Sequence, residues 1–328
     1  MTAPNPARDL LRGLRIPLMA APMSIASSLE VVEAAALAGV IGCFPTHNAR
    51  AARGMRAWIA SVDAKLQAAR KQGGAPGLLA VNINVSSRHR PENLTDALDV
   101  CREFRVPIIT TNAGDPIRVV QAVHEWGGVV IHDAVTVEQV MRAIDRGVDG
   151  LMLVCAGAGG LGGLLSPFAF VSRVRAFYDG LIVLAGGIAD GRGIAAAEML
   201  GVDLVCMGTR FIATAESGAP EGHKRMLVEA DISDVQYTDA ICGINANFLK
   251  PSILANGLDP SALPPPLSPG RPATPPEAKP WSHVWSGGHS VGVIDDIPTV
   301  AELVARLERD YLAARRTVTQ SNVDEHGS

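Results

Sequence analysis

The chain alternates eight short apolar runs with longer amphipathic segments, and this alternation constrains the fold more than any other feature. The apolar runs are rich in valine, isoleucine and leucine, and most of them do not alternate polar with apolar residues. Continuous apolar strands are typical of a parallel sheet that is covered on both faces. The candidate strands are residues 16–22, 40–45, 78–84, 106–112, 129–135, 150–156, 181–187 and 204–209.

Eight strands that alternate with helices predict an α/β fold of the (β/α)8 TIM-barrel class. A doubly wound open sheet is the structural alternative, but it normally carries a glycine-rich turn directly after its first strand. Here the first strand ends in Ala21-Pro22-Met23, and the glycine-rich turns come late in the chain. The order of the motifs therefore favours the barrel, followed by a C-terminal excursion and a closing helix.

The regular alternation ends after the last predicted strand. We expect one domain over residues 1–328, because α/β barrels of this length form single units. Residues 259–280 hold nine prolines, which excludes a helix or a central strand there. We predict a barrel core over 16–215, an irregular, proline-rich excursion near the active-site mouth over 216–298, a C-terminal helix over 299–316 and a flexible tail over 317–328.

The composition excludes several classes of function. A net charge of −4 gives no basic surface for nucleic acid, and an aromatic content of 4% offers few stacking platforms. No apolar run approaches the ~20 residues of a membrane span, and charges and prolines at the N-terminus are unlike a signal peptide. The five scattered cysteines, with no CxxC pair, predict a cytoplasmic protein without a metal centre.

Two glycine motifs follow the last two predicted strands, at Gly186-Gly187 and at Gly208-Thr209. Barrel enzymes keep their active sites at the C-terminal strand ends and commonly bind phosphate after strands seven and eight. Glycines let a phosphate approach the backbone, and a nearby helix N-terminus offers N–H groups. A tight turn would explain one such motif, but two on adjacent strands favour a phosphate site.

A third glycine cluster, "CAGAGG" at residues 155–160, follows the sixth strand. Its bare backbone could lie against a flat ring, or it could form a flexible loop that binds nothing. A phosphate and a flat ring at the mouth of a barrel together indicate FMN.

Several of these motifs together resemble the nitronate monooxygenases, formerly called 2-nitropropane dioxygenases. The resemblance runs from about residue 16 to the final helix and implies an FMN-binding barrel related to FMN-dependent enoyl-acyl-carrier reductases. The motifs that carry it are "APM" (21–23), "VNIN" (81–84), "CAGAGG" (155–160), "SPFAF" (166–170), "LAGGIADGR" (184–192), "MGTRFIAT" (207–214), "YTDAICGINANFLKPSI" (237–253) and "WSGGHSVGVIDDIP" (285–298).

The resemblance also implies roles for individual residues. Met23 would lie near the edge of the isoalloxazine ring, and Asn82 and Asn84 would bond the pyrimidine side of the flavin. The backbone beside the ring and the ribityl chain would be that of Ala158, Gly159 and Gly160. The phosphate would be held by Gly186, Gly187, Gly208 and Thr209.

Two positions depart from the family pattern. Members usually carry a histidine, linked to nitronate oxidation, where this chain has Leu161 in the substrate pocket, and leucine can neither accept a proton nor donate a hydrogen bond. The family's closing Ala-Gly-Gln-Gly reads Gly287-Gly288-His289-Ser290. We expect either that His289 partly replaces the lost polar group as a catalytic residue, or that the flavin chemistry differs. A surface or supporting position for His289 is the alternative.

His132 is a second candidate catalytic residue, because it ends the fifth strand, where side chains can reach the barrel mouth. It could bond the flavin or act as an acid or base. It could equally be a structural histidine that bonds a loop backbone.

The leading hypothesis is an FMN-dependent oxidoreductase that oxidises alkyl nitronates with O2. The alternative is an FMN-dependent reductase or dehydrogenase of enoyl or acyl thioesters, with NAD(P)H as a partner, which the apolar Leu161 would suit. A barrel that binds a phosphate-bearing ligand without redox work is a third. Either enzyme would act on a small molecule, without nucleic acid or membrane, and a homodimer is one possible assembly.

Overall fold

Eight parallel strands close into a barrel, which confirms the predicted (β/α)8 architecture. The computed structural model describes residues 6–49, 52–86 and 91–320. The strands are β1 (Leu18–Ala20), β2 (Ile41–Pro45), β3 (Leu78–Asn84), β4 (Ile108–Asn112), β5 (Val129–Ala134), β6 (Gly150–Val154), β7 (Gly160–Leu161), β8 (Leu181–Ala185), β9 (Leu204–Met207), β10 (Val235–Thr238) and β11 (Ala246–Leu249). The barrel is formed by β1 to β6, β8 and β9, and β1 pairs with β9 to close it.

Helices follow most of the barrel strands and cover the outside of the barrel. They are α1 (Pro6–Leu11), α2 (Leu29–Leu37), α3 (Ala52–Lys71), α4 (Pro91–Glu103), α5 (Ile117–Glu125), α6 (Val137–Asp145), α7 (Pro167–Arg175), α8 (Gly191–Met199), α9 (Thr209–Ile212), α10 (Glu221–Glu229), α11 (Lys250–Ala255) and α12 (Val300–Gln320). None of the helices in the described ranges is both long enough and apolar enough to cross a membrane.

Alternate residues of each strand pack into two different apolar layers. Val129 and Ile131 of β5 lie inside the barrel, whereas Val130 packs with the surrounding helices. This two-residue period decides which side chains at a strand end can reach the barrel mouth. In β5 it turns Asp133 inward and His132 outward.

The N-terminal end of the barrel is covered by α1. Ala7 is buried in the same cluster as the residues that fill the barrel interior, and Arg8 forms an ion pair of 2.8 Å with Asp203. The opposite end, where the strands finish, is the one that carries the large cavity.

The excursion after the barrel contains more regular structure than its irregular sequence indicated. Residues 230–258 hold β10, β11 and α11, so the prediction of an irregular segment was wrong for part of it. The antiparallel pairing of β11 with β7 brings Ala246 opposite Leu161 and Asn247 opposite Gly160. Such short strands depend on this distant pairing, which a local sequence pattern does not encode.

The closing helix α12 packs beside α8, where the Tyr311 hydroxyl donates a hydrogen bond of 2.7 Å to Glu198. The helix continues past the predicted end at residue 316 to Gln320. The first residues of the predicted tail are therefore helical, and the rest of that prediction, over 321–328, lies outside the described residues.

Candidate active site at the mouth of the barrel

A cavity of about 460 Å³ lies at the C-terminal ends of the barrel strands and extends under the excursion. Polar side chains reach it from β3, β4 and β5, and glycine-rich backbone forms one wall. The site residues inferred from the sequence that line it are Met23, Asn82, Asn84, Ala158, Gly159, Gly160, Leu161, Gly186, Gly208 and Thr209.

The glycine pair after β8 makes a turn that other residues rarely adopt. Gly186 has a φ of 125° and Gly187 a φ of 69°, both in the left-handed region. A Cβ atom on Gly186 would also lie 3.0 Å from the carbonyl oxygen of Cys155. In the first turn of α8, the Gly193 N–H donates to the Asp190 carboxylate at 2.7 Å, so part of that helix terminus is already capped.

The glycine wall after β6 is fixed between two distant segments. A Cβ atom on Gly159 would lie 2.8 Å from the Thr209 hydroxyl oxygen, so this close approach requires glycine. The Gly288 N–H donates to the same hydroxyl oxygen at 3.0 Å. The Asn247 side-chain amide donates to the carbonyl of Ala158 at 2.7 Å. The excursion thus holds the wall from outside.

The polar side of the cavity contains two oxygen atoms without partners. The Asn82 amide donates to the Thr110 hydroxyl at 3.0 Å. The Oδ1 atoms of Asn112 and Asp133 are buried and accept no hydrogen bond among the described residues. Burial raises the pKa of Asp133 from 3.8 to about 7, so this carboxyl is protonated in mild acid and about half protonated at pH 7.

His132 does not line the cavity. Its Nδ1 atom lies 2.8 Å from the Thr111 hydroxyl, in the layer between the barrel and its helices. Burial lowers its pKa to about 4, so the ring is uncharged at neutral pH. The expectation that His132 faces the mouth is therefore wrong, because the strand period places Asp133 there instead.

His289 also lies outside the cavity lining. Its side chain is exposed, and a Cβ atom on Gly157 would be 3.0 Å from its Nδ1 atom, so the ring lies against the outer side of the glycine wall. The neighbouring Ser290 lines the cavity instead. This position agrees with the alternative of a supporting residue and not with replacement of the family's histidine.

His223 is a cavity residue that the sequence did not reveal, because it stands in a polar, helical segment. It is buried, and its ring stacks on Trp285 with centroids 5.3 Å apart. Its Nε2 atom donates to the Ser286 carbonyl at 2.8 Å, and burial lowers its pKa to about 4. His223 is thus a neutral ring with a fixed orientation. Its four-residue spacing from the buried Leu227 is the only signal the sequence offered.

Comparisons with known proteins agree with this geometry. The sequence profile of the family described as "Nitronate monooxygenase" matches residues 8–310. A nitronate monooxygenase of Paraburkholderia phytofirmans is 30% identical over 73% of this chain and 69% of its own length. The "(3aS,4S,5R,7aS)-5-hydroxy-7a-methyl-1-oxo-octahydro-1H-indene-4-carboxyl-CoA dehydrogenase" of Mycobacterium tuberculosis is 29% identical over 42% of this chain and 39% of its own length.

The fold also matches solved structures. A nitroalkane oxidase from Streptomyces ansochromogenes superposes with a TM-score of 0.77, covering 95% of this chain and 99% of that one. The two share 22% sequence identity, so the likeness is one of fold. It extends over the barrel and the excursion together, which are the two parts that enclose the cavity.

Proposed function

This chain belongs to the nitronate monooxygenase family, whose members are FMN-dependent oxidoreductases, and we propose that it oxidises alkyl nitronates with O2 at the mouth of its barrel. The products of that reaction are a carbonyl compound and nitrite. One observation carries the proposal: a glycine-walled cavity at the strand ends with two buried oxygen atoms, of Asn112 and Asp133, that accept no hydrogen bond from any residue the structure describes.

The residues at the strand ends fit the pyrimidine ring of a flavin. That ring offers an N–H donor between two carbonyl acceptors, so it needs both acceptors and donors from the protein. The Asn112 Oδ1 can accept, and a protonated Asp133 can donate. Buried polar atoms without partners each cost about 1–3 kcal/mol, which a bound ring would remove. Asn82 and Asn84 line the same side.

The opposite side of the cavity fits the phosphate. We infer that Gly186, Gly187 and Gly208 bring backbone close to it. Because the Thr209 oxygen accepts from Gly288, its hydroxyl proton is left to donate to a phosphate oxygen. Gly159 and Gly160 would lie beside the ring or the ribityl chain, and Met23 at its edge.

When bound, FMN would supply the redox chemistry between the substrate and oxygen. The residues of the chain have to bind the anionic substrate, orient it and keep water away. Leu161 cannot remove a proton, so we propose that the substrate arrives already deprotonated, as a nitronate. The raised pKa of Asp133 favours its neutral form, which keeps negative charge out of the polar side of the cavity.

The experiment that tests this function is anaerobic mixing of the FMN-loaded protein with ethyl nitronate, followed by the visible absorbance of the flavin. We expect the absorbance to fall, and to recover in air with release of nitrite. An unchanged spectrum would contradict nitronate oxidation.

A second candidate is an FMN-dependent reductase or dehydrogenase of enoyl or acyl thioesters that uses NAD(P)H. The apolar, half-open position of Leu161 and the CoA-thioester dehydrogenase among the relatives support it. In the same anaerobic mixing experiment, NAD(P)H rather than nitronate would then reduce the flavin, and an enoyl thioester would reoxidise it.

We further propose that the protein works in a reducing cytoplasm, which its five free cysteine thiols support. We also propose that the protein forms a homodimer, which light scattering of the purified protein would test.

Replacing Gly208 with alanine should weaken FMN binding at least tenfold without unfolding the protein. Its φ of −100° suits alanine, and the added Cβ would lie 3.6 Å from Met23 Sδ and from Ala21 Cβ, both in the cavity wall. The methyl group would therefore take space from the ligand. FMN titration by fluorescence measures the change, and Gly13→Ala, where a Cβ meets nothing within 4 Å, is the control. Equal FMN affinity in both variants would remove Gly208 from the proposed site.

A further inference from the structure

Backbone strain concentrates at the mouth of the cavity. Among the described residues, four that are not glycine have a positive φ, and two of these, Ile25 at 68° and Trp281 at 63°, line the cavity. The left-handed region is especially unfavourable for a β-branched residue such as isoleucine. Strain of this kind persists only where the surroundings impose it, and it is frequent at functional sites.

The loop around Ile25 is held by a set of hydrogen bonds. The Ile25 N–H donates to the Asn48 side-chain oxygen at 3.2 Å. The Asn48 amide nitrogen in turn donates to the carbonyls of Met23 at 2.9 Å and Ser27 at 3.0 Å. Ser24 and His47 are joined by a further bond of 2.9 Å. These bonds fix the backbone whatever side chain stands at position 25.

Packing does not explain why that side chain is isoleucine. Ile25 is 43% exposed and lies outside the buried clusters of the core. Glycine or asparagine would suit the same backbone better, because both adopt left-handed conformations readily. The isoleucine side chain lines the cavity mouth, where a substrate would meet it.

Two other apolar side chains reach the mouth from separate segments. Leu161 is 41% exposed, and its backbone is fixed by the pairing with β11. Trp281 lies across the glycine wall, since a Cβ atom on Gly160 would be 3.5 Å from its indole nitrogen. Among the described residues that line the cavity, none is lysine or arginine. These described lining residues thus offer apolar surface and no lysine or arginine for a charged tail.

We propose that Ile25 determines substrate specificity: together with Leu161 and Trp281 it forms an apolar collar that binds the hydrocarbon tail of the substrate. The preferred substrates are then nitronates with long or bulky hydrocarbon groups. This inference rests on the proposed function for the anionic head group, and it adds the substrate class. Ile25 contacts the tail and takes no part in the chemistry.

The test compares straight-chain nitronates from ethyl to octyl, and the matching alkyl carboxylates, which are anions that cannot be oxidised. We expect kcat/KM for the nitronates to rise about three- to fourfold per added methylene until the collar is filled. The affinity for the carboxylates, measured by flavin absorbance, should rise by the same factor. In Ile25→Gly this rise should fall to about twofold or less, while the affinity for the shortest anion stays the same. Ile25→Asn is the second variant to use if the glycine variant folds poorly, because asparagine is polar and tolerates the same backbone. It should show the same reduced rise with chain length.

Arg105→Gly is the matched control, because Arg105 has a positive φ of 47° but is exposed at the end of α4, away from the cavity. Relief of strain should raise the thermal midpoint in this variant without changing the chain-length dependence. The proposal would be overturned if kcat/KM and affinity did not depend on chain length in the wild type. It would also be overturned if both Ile25 variants kept the full dependence on chain length. If no nitronate is oxidised but the affinity for the carboxylates still rises with chain length, the apolar collar is supported and the proposed reaction is contradicted.

Discussion

Replacing Leu161 with histidine is expected to let the enzyme oxidise neutral nitroethane about 100-fold faster, while its rate with preformed ethyl nitronate, which has almost no tail to bind, changes little. A neutral nitroalkane must lose the proton next to its nitro group before it becomes a nitronate. Positioned general bases contribute about 100- to 10,000-fold to such steps. Leucine contributes nothing, whereas an imidazole at this position could accept the proton.

The position of Leu161 should allow this substitution without disturbing the fold. The side chain lines the cavity and is 41% exposed, so a histidine would not have to be buried. Its backbone is fixed by the pairing of β7 with β11 and does not depend on the side chain. Oxygen uptake with nitroethane and with ethyl nitronate gives the ratio of the two activities.

Leu164→His is the matched control, since Leu164 is 71% exposed and does not line the cavity. It should leave the ratio unchanged. A Leu161→His variant with the wild-type ratio would mean that position 161 does not reach the carbon atom that loses its proton.

Replacing Asp133 with asparagine is expected to stabilise the flavin-free protein by about 4 kcal/mol above pH 7, and by much less in acid. The pKa of Asp133 is about 7 in the folded protein and ordinarily 3.8, so the folded state binds the proton more tightly. Its stability therefore falls as the pH rises from about 4 to about 7 and is constant above that range. Because the asparagine side chain has no proton to lose in this range, the variant should not lose stability as the pH rises.

Urea unfolding at about pH 5 and about pH 8 measures the difference between the variant and the wild type. The gain should be roughly 1–2 kcal/mol at the lower pH and about 4 kcal/mol at the higher one. The same substitution at the exposed Asp179 is the control. A gain at Asp133 that is equal at both pH values would contradict the buried, protonated carboxyl. Asp133→Leu, which cannot bond a ligand, should in addition weaken FMN binding.

The barrel could be predicted because each of its strands is an apolar run with a clear end. The structure has β3 at Leu78–Asn84, as the sequence predicts, and the other barrel strands are shorter by a few residues at their start, their end or both. The glycine at 186 marked the cavity for a local reason as well, since its left-handed backbone and its close approach to the Cys155 carbonyl both need a residue without a Cβ atom.

What the sequence did not reveal depends on orientation and on distant contacts. His132 and Asp133 are neighbours at one strand end, and only the register of β5 in the barrel decides which of them faces the cavity. Neither the left-handed backbone of Ile25 nor the position of Trp281 over Gly160 has a local pattern in the sequence. The exposed position of His289 follows from the path of the excursion around the glycine wall.

The pairing of β11 with β7 has a consequence for how such enzymes diversify. The side chains proposed to hold the flavin come from the barrel, whereas much of the wall that a substrate would meet comes from residues far along the chain, attached there by a two-residue ladder. Changes at excursion residues that line the cavity, such as Trp281, can alter substrate choice while the bonds from Asn247 and Gly288 keep the glycine wall in place. The architecture therefore places the proposed flavin contacts and part of the substrate wall on separate segments of the chain, so the two can be altered by different substitutions.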